Sequence, residues 1–320
     1  MRLRSSTPAA TVAAKSASLS RKVATAVVRK VSVRAAATST VATAVGFSWG
    51  PCGRAAAVFA VANSAGLAVS VASGGSHLHL DLIGSGAFVA AAAATRGAHA
   101  RTRLSAALIG IWGARLASFL FYRVVNSQAQ HDTRLDSTSM RDFWAASFLW
   151  GVICSLPHTI GAGFTRPPKV GMLGVGAAGL ACAGILLETV ADWQKLQFKS
   201  NPANHGRFCS TGLFGIVQQP NYLGDLMMWT GVLLLNAPSA IAGGWAGRKT
   251  ATLGRLGLAT LSPVFMLALF YGQMHGVITD SAKLRHAKYA ADPEFLEYVQ
   301  RTPFILPFIP PPQINAEHSN

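Results

Sequence analysis

Glu188, Asp192, Lys195 and Lys199 follow one another at steps of four, three and four, which sets all four on one face of a helix. Like charges one turn apart cost a helix about 0.2–0.5 kcal/mol. Lys195 and Lys199 accept that cost in a way that suits an anion such as a phosphate, which lysine binds as a point charge. The plainer reading is a solvated face carrying an Asp192–Lys195 pair. A second polar group follows at Pro220-Asn-Tyr-Leu-Gly-Asp225, where the chain turns apolar. Pro fits a helix start, Asn221 offers an amide donor and acceptor, and Tyr222 offers a flat ring with a polar tip. Gly224 permits close approach, and Asp225, one turn inside, needs a partner if buried. Read alone, this is a helix cap with an interfacial aromatic. Charged groups at the mouth of a hydrophobic segment are costly unless they serve a polar ligand or a water-filled cavity. The two groups together therefore point to a polar cofactor meeting a membrane.

The elements that must position these residues are apolar. The 320 residues are 51% hydrophobic and 12% charged, half the usual charged share of about 25% in a soluble domain, and the mean hydropathy is +0.35. Seven runs approach the roughly 20 residues that cross a bilayer as a helix: Ala55–Ser73, Leu78–Thr95, Leu104–Phe121, Phe143–Gly163, Val170–Thr189, Leu223–Trp245 and Leu258–Gly276. The expected fold is all-α, a polytopic membrane bundle of six or seven transmembrane helices. Its expected divisions are a basic tail (1–45), Ala/Gly-rich membrane helices (46–110), a main membrane domain (111–311) and a short C-terminal tail (312–320).

The net charge is +16. Residues 1–35 hold eight Lys or Arg and no acid, which leaves 16 − 8 = +8 for the remainder, and the first carboxylate is Asp81. Basic loops are ordinary in membrane proteins, where they meet anionic lipid. Single-stranded nucleic acid would call for aromatics among the cations, and the tail has none before Phe47. No nucleic-acid partner is expected; the expected partners are membrane lipid and a lipophilic small molecule. An Arg-, Ser- and Ala-rich, acid-free tail has the composition of an organellar transit peptide. A plastid membrane is the first expectation and a mitochondrial membrane the second.

Other patterns carry less. Gly174-x-Gly176-x-x-Gly179 spells the dinucleotide fingerprint but lies inside an apolar run without a preceding strand, so helix packing is expected of it. His77, His79 and Asp81 alternate without further ligands, and a loop or interfacial position is expected. Cys52, Cys154, Cys182 and Cys209 show no metal or disulfide spacing, and no metal is expected. His275 at the end of the last run, with Asp280, Arg285, Lys288, Tyr289 and Tyr298 beyond it, reads as part of an interfacial helix.

Several of these residues together resemble a family. Glu-x-x-x-Asp-x-Gln-Lys, then Gly-Leu-Phe, then Pro-Asn-Tyr-Leu-Gly-Asp and a closing Tyr-Val-x-Arg-Thr-Pro-Phe are similar to the C-terminal half of the steroid 5α-reductase superfamily. Features of the related sterol double-bond reductases are also present. The resemblance runs from Trp-Gly-x-Arg-Leu at Trp112–Leu116 to about Pro311. It implies a multi-helix membrane reductase with NADPH in a cavity inside the bundle. It assigns Lys195, Lys199, Phe214, Asn221, Tyr222, Asp225, Asp280, Arg285, Lys288, Tyr289 and Tyr298 to the cofactor and leaves the catalytic residue unknown. Where the family motif usually reads Arg-His before Pro-Asn-Tyr, this chain has Gln218 and Gln219, and Ser281 follows Asp280. The function implied is reduction by NADPH of an activated C=C bond in a steroid, sterol or isoprenoid-like substrate. Two alternatives stand beside it: an S-adenosylmethionine-dependent methyltransferase of the isoprenylcysteine type, and a non-catalytic membrane protein that keeps the reductase fold.

Overall fold

A computed structural model describes residues 46–74, 78–126, 139–242, 249–274, 288–289 and 291–311. His77, His275, Asp280, Ser281, Arg285 and the basic tail lie outside the described residues. Eight α-helices are described: α1 (Gly50–Ala72), α2 (Leu80–Thr95), α3 (Ala100–Asn126), α4 (Met140–Ala162), α5 (Met172–Ser200), α6 (Pro220–Ala242), α7 (Lys249–Met274) and the short α8 (Pro293–Arg301). Among the described residues there is no strand, and one isolated bridge pairs Phe47 with Phe164. Over its described residues, each of the seven apolar runs is mainly helix. Six of them, all but α2, are long and apolar enough to cross a membrane, and the chain is a multi-pass, all-α membrane protein. In lipid every backbone N–H and C=O must be satisfied within the segment, so a helix is the form an apolar run takes.

Several helices outrun their apolar stretch. α3 continues past Phe121 to Asn126, and α5 past Thr189 to Ser200. Hydropathy marks the part that meets lipid, whereas the hydrogen-bond ladder continues into polar sequence until a breaker stops it. For α5 that breaker is Asn201-Pro202, with Asn201 Oδ1 accepting from Ala203 N at 3.0 Å.

Contacts at the helix ends order the bundle. The start of α1 bonds the end of α4 (Ser48 N to Gly163 O, 2.9 Å), and its last turns meet the start of α4, where Trp144 Nε1 donates to Ser70 Oγ at 3.1 Å. α2 joins these two levels. His79, before its first turn, bonds Ser70 Oγ at 3.0 Å, and Thr95, its last residue, bonds His158 at 3.0 Å. Sixteen residues rise about 24 Å, so α2 travels from one level to the other although it is shorter than its neighbours.

α5 and α6 approach most closely. A Cβ on Gly224 would stand 2.6 Å from Glu188 N and from Gly184 O, and one on Gly231 2.6 Å from Ala181 N. Only glycine allows backbones this near. The fingerprint glycines contribute less than expected, since Gly174 is buried but Gly176 and Gly179 face outward with no atom near. The core between the helices is aromatic. Phe88 of α2 meets Trp112 of α3 at 5.0 Å, Trp150 of α4 at 4.8 Å and Trp229 of α6 at 5.5 Å between ring centroids. The two edge-to-face pairs, with Trp112 and Trp150, add about 0.5–1.5 kcal/mol each beyond their buried area. α3 runs unbroken through residue 110, and one core draws on helices from both sides of it.

One end of the bundle is closed by a buried hydrogen-bond chain. Thr95 Oγ1 donates to Ala91 O at 2.6 Å, so its oxygen accepts from His158 Nε2 at 3.0 Å. Nδ1 of His158 is then left to accept from Ser105 Oγ at 2.8 Å, and Ser105 accepts from Asn236 Nδ2 at 2.9 Å. The network thus assigns the neutral Nε2–H tautomer. Beside it, Arg101 donates to the carbonyls of Pro168, Lys169 and Leu235. The last of these lies three residues before Pro238, whose ring disturbs the α6 ladder.

Candidate functional site

At the opposite end, a cavity of about 950 Å³ opens between the last turns of α3, the C-terminal half of α5 and the first turn of α6. That is near the upper end of the range for small-molecule sites. Its lining includes Arg123 from α3, Asp192, Lys195 and Lys199 from α5, His205 from the following turn and Asn221 from α6. The helical spacing read in the sequence accounts for the α5 residues. α6 begins at Pro220, so its N-terminal end, with its partial positive charge, stands at the cavity wall. Three cations and a helix N-terminus face a single lining carboxylate.

That carboxylate is already engaged. Arg115 Nη2 donates to Asp192 Oδ2 at 2.5 Å and to the Glu188 carbonyl at 3.2 Å, and its Nη1 pairs with Glu188 Oε1 at 2.8 Å. Trp112 Nε1 donates to Glu188 Oε2 at 3.0 Å. Glu188 and Asp192 are buried, so the ion pairs are needed to hold them there. The sequence reading missed Arg115 as their partner, although a cation in the middle of an apolar run is itself a signal. Arg123 lies in the last turn of α3, where a cation is favoured.

The residues assigned by resemblance fall into three groups. Lys195, Lys199 and Asn221 line the cavity, with Asn221 Oδ1 buried and meeting no hydrogen-bond partner. Lys195 Nζ lies 5.7 Å from the centroid of the Phe214 ring. A second group contacts other parts of the protein. Tyr222 stacks on Phe270 at 4.2 Å with an interplanar angle of 7°. Asp225 is buried directly after Gly224, and its Oδ1 meets no hydrogen-bond partner. Tyr298 donates to Phe214 O at 2.7 Å and Tyr289 to Arg207 O at 3.1 Å, so both tyrosines pin the 201–215 segment. They pack with Phe208 and Phe295, and Lys288 Nζ lies 5.5 Å from the Tyr289 ring centroid. Lys199 joins the pinning, donating to Arg207 O at 2.7 Å and Tyr289 Oη at 3.3 Å. The third group, Asp280 and Arg285, lies outside the described residues.

Gln218 and Gln219 also have a place. Gln218 Nε2 donates to Val299 O at 3.2 Å and Thr302 O at 2.8 Å. The backbone N–H groups of Gln218 and Gln219 donate to Pro303 O and Phe304 O at 2.8 and 3.0 Å. The Gln218 amide thus satisfies carbonyls at the end of α8 and clamps the C-terminal segment to the start of α6. Nearby, burial pushes the Cys209 thiol above the ordinary thiol range, against the opposing pull of the Thr211 backbone, Lys195 and Lys199.

A family model described as a protein of unknown function, DUF1295, matches residues 68–302. The match begins in the last turns of α1, well ahead of Trp112, and ends as α8 ends. No curated protein and no solved structure matches the chain.

Proposed function

The chain belongs to the DUF1295 family, and from that membership together with the cationic cavity we propose an NADPH-dependent membrane reductase. Its substrate would be lipophilic, of steroid, sterol or isoprenoid kind, and would carry an activated C=C bond. The family is related to steroid 5α-reductases, in keeping with the resemblance of the motifs between Trp112 and Pro311. The observation that carries the reading is Asn221. Its Oδ1 is buried without a partner in the wall of a cavity lined by Arg123, Lys195 and Lys199. An unpartnered buried amide oxygen costs about 1–3 kcal/mol unless a ligand meets it.

The residues fit a phosphorylated dinucleotide. Lys195, Lys199 and Arg123 would hold phosphates, Asn221 would pair with an amide or hydroxyl, and Asp192, oriented by Arg115, would accept from a sugar hydroxyl. When bound, the cofactor supplies a hydride, and the protein supplies binding, orientation and a water-poor surround. The methyltransferase alternative fits less well, because S-adenosylmethionine carries a sulfonium cation and no phosphate, and three cations would repel it. The non-catalytic alternative drew its support from Gln218 and Gln219. Their clamp gives these residues a structural role, and Arg123 adds a cation at the cavity.

The test is ligand-induced thermal stabilisation of the purified chain by NADPH and by S-adenosylmethionine. NADPH is expected to raise the melting temperature. Asn221→Ala is expected to weaken its binding roughly 5- to 150-fold. Equal NADPH shifts in wild type and variant, on a lower variant baseline, would make Asn221 a helix cap only. Stabilisation by S-adenosylmethionine alone would favour the methyltransferase, and stabilisation by neither would favour the non-catalytic protein.

A further inference from the structure

We propose that the end of the bundle opposite the cavity is a docking surface for the anionic headgroups of one membrane leaflet. Four segments of chain reach this end: the start of α1, the α2–α3 connection with the first turn of α3, the α4–α5 connection and the start of α7. Each lies in a stretch of sequence without a carboxylate. No Asp or Glu precedes Asp81, and none lies between Asp81 and Asp132, between Asp142 and Glu188, or between Asp225 and Asp280. The same segments carry Arg54, Arg96, Arg103, Arg166, Lys169 and Lys249, all exposed.

Two further cations at this end turn inward. Arg101 is buried against backbone carbonyls, and Arg255 lies over the rings of Phe47 and Phe164 at 5.0 and 5.4 Å. Among the described residues, the exposed six have no acid at their own end of the bundle to pair with. At the cavity end the charges are mixed, with Asp81, Asp142, Asp292, Glu294 and Glu297 among Arg123, Arg141, Lys288 and Arg301. The asymmetry is therefore one of missing carboxylates.

A leaflet fits this arrangement better than a single ligand. The cations sit on separate connections at the ends of apolar helices, at the level where headgroups stand. Trp49, half exposed, marks the same level, as interfacial tryptophans do. Four of the six are arginines, which grip phosphate oxygens bidentately, and clustered basic residues beside spans draw anionic lipid.

The experiment places the full chain in nanodiscs of phosphatidylcholine with a minor share of phosphatidylglycerol, and reads which lipids stay bound after mild detergent extraction. The retained fraction is expected to be enriched in phosphatidylglycerol several-fold over the disc. The combined change Arg96→Gln, Arg103→Gln, Arg166→Gln and Lys169→Gln is expected to abolish the enrichment, and lysine at the three arginine positions to keep most of it. Arg141→Gln with Arg301→Gln, at the cavity end, is expected to leave it intact. Enrichment unchanged by the fourfold variant overturns the proposal, as does an equal loss in the cavity-end variant. Loss of enrichment on adding millimolar inorganic phosphate overturns it in favour of a soluble-anion site.

Discussion

Replacing Arg115 by Met keeps the length of the side chain and removes its charge. The structure then leaves Glu188 and Asp192, both buried, without their common cation. Side-chain exposure of the three partners is 16%, 5% and 11%, so solvent does little to screen the loss. Breaking one side of a buried pair costs about 3–5 kcal/mol, whereas removing all partners together can be neutral. Glu188 keeps its bond from Trp112, which softens the loss on that side. For a folded unit of this size 1 kcal/mol moves the melting temperature by roughly 2–4 °C. Arg115→Met should therefore lower it by roughly 6–20 °C. Adding Glu188→Gln and Asp192→Asn to Arg115→Met should recover most of the loss. The assay is thermal unfolding of each variant in the same nanodisc, read by tryptophan fluorescence. A drop of less than 2 °C in the single variant, or a triple variant no better than the single, would refute the idea that Arg115 anchors the cavity wall.

Three other perturbations follow from the geometry. Gly224→Ala puts a Cβ 2.6 Å from the α5 backbone, and separating α5 from α6 should cost about 1–3 kcal/mol, seen as a lower melting temperature. Gln218→Ala leaves the Val299 and Thr302 carbonyls without this donor, at about 1–3 kcal/mol; the readout is faster protease cleavage after residue 302, with the membrane helices still protected. Cys209, whose thiol is held above its ordinary range, should be alkylated more slowly at pH 8 than a free cysteine. The sign follows from the raised value: the folded state keeps the proton longer, so this contribution to stability is present at neutral pH and is lost as pH rises through the shifted range. Alkylation as fast as that of a free thiol would contradict it.

The helices were readable because lipid leaves an apolar run no other form, and Lys195, Lys199 and Asn221 because helical spacing and helix-start chemistry are local. What escaped was relational. Arg115 meets Glu188 and Asp192 from another helix, and no local pattern states which helix will face which. Arg123 has the charge of a loop residue, but α3 continues one more turn beneath it. Tyr289 and Tyr298 show the limit most clearly: a polar-tipped ring serves equally to contact a ligand or to pin a loop. The choice lay in what stands opposite each hydroxyl, which is the carbonyl of Arg207 or Phe214. The fingerprint spelled by Gly174, Gly176 and Gly179 was a coincidence of letters, while the working contact fell at Gly184 and Gly224.

The pairing of residues 218–219 with 303–304 has a consequence for biosynthesis. The seven apolar helices can all enter the membrane while the ribosome is still translating the region beyond α7. The loop beside the cavity bonds α5 through Gln194 and Lys199, but it lacks the bond from Tyr298 and the bonds to residues 303–304 until residue 304 has been added and has folded back. During synthesis the bundle therefore precedes this clamp, and a chain interrupted between α7 and α8 would be inserted and buried in lipid with every cavity-lining residue present but the neighbouring loop unpinned from its C-terminal side.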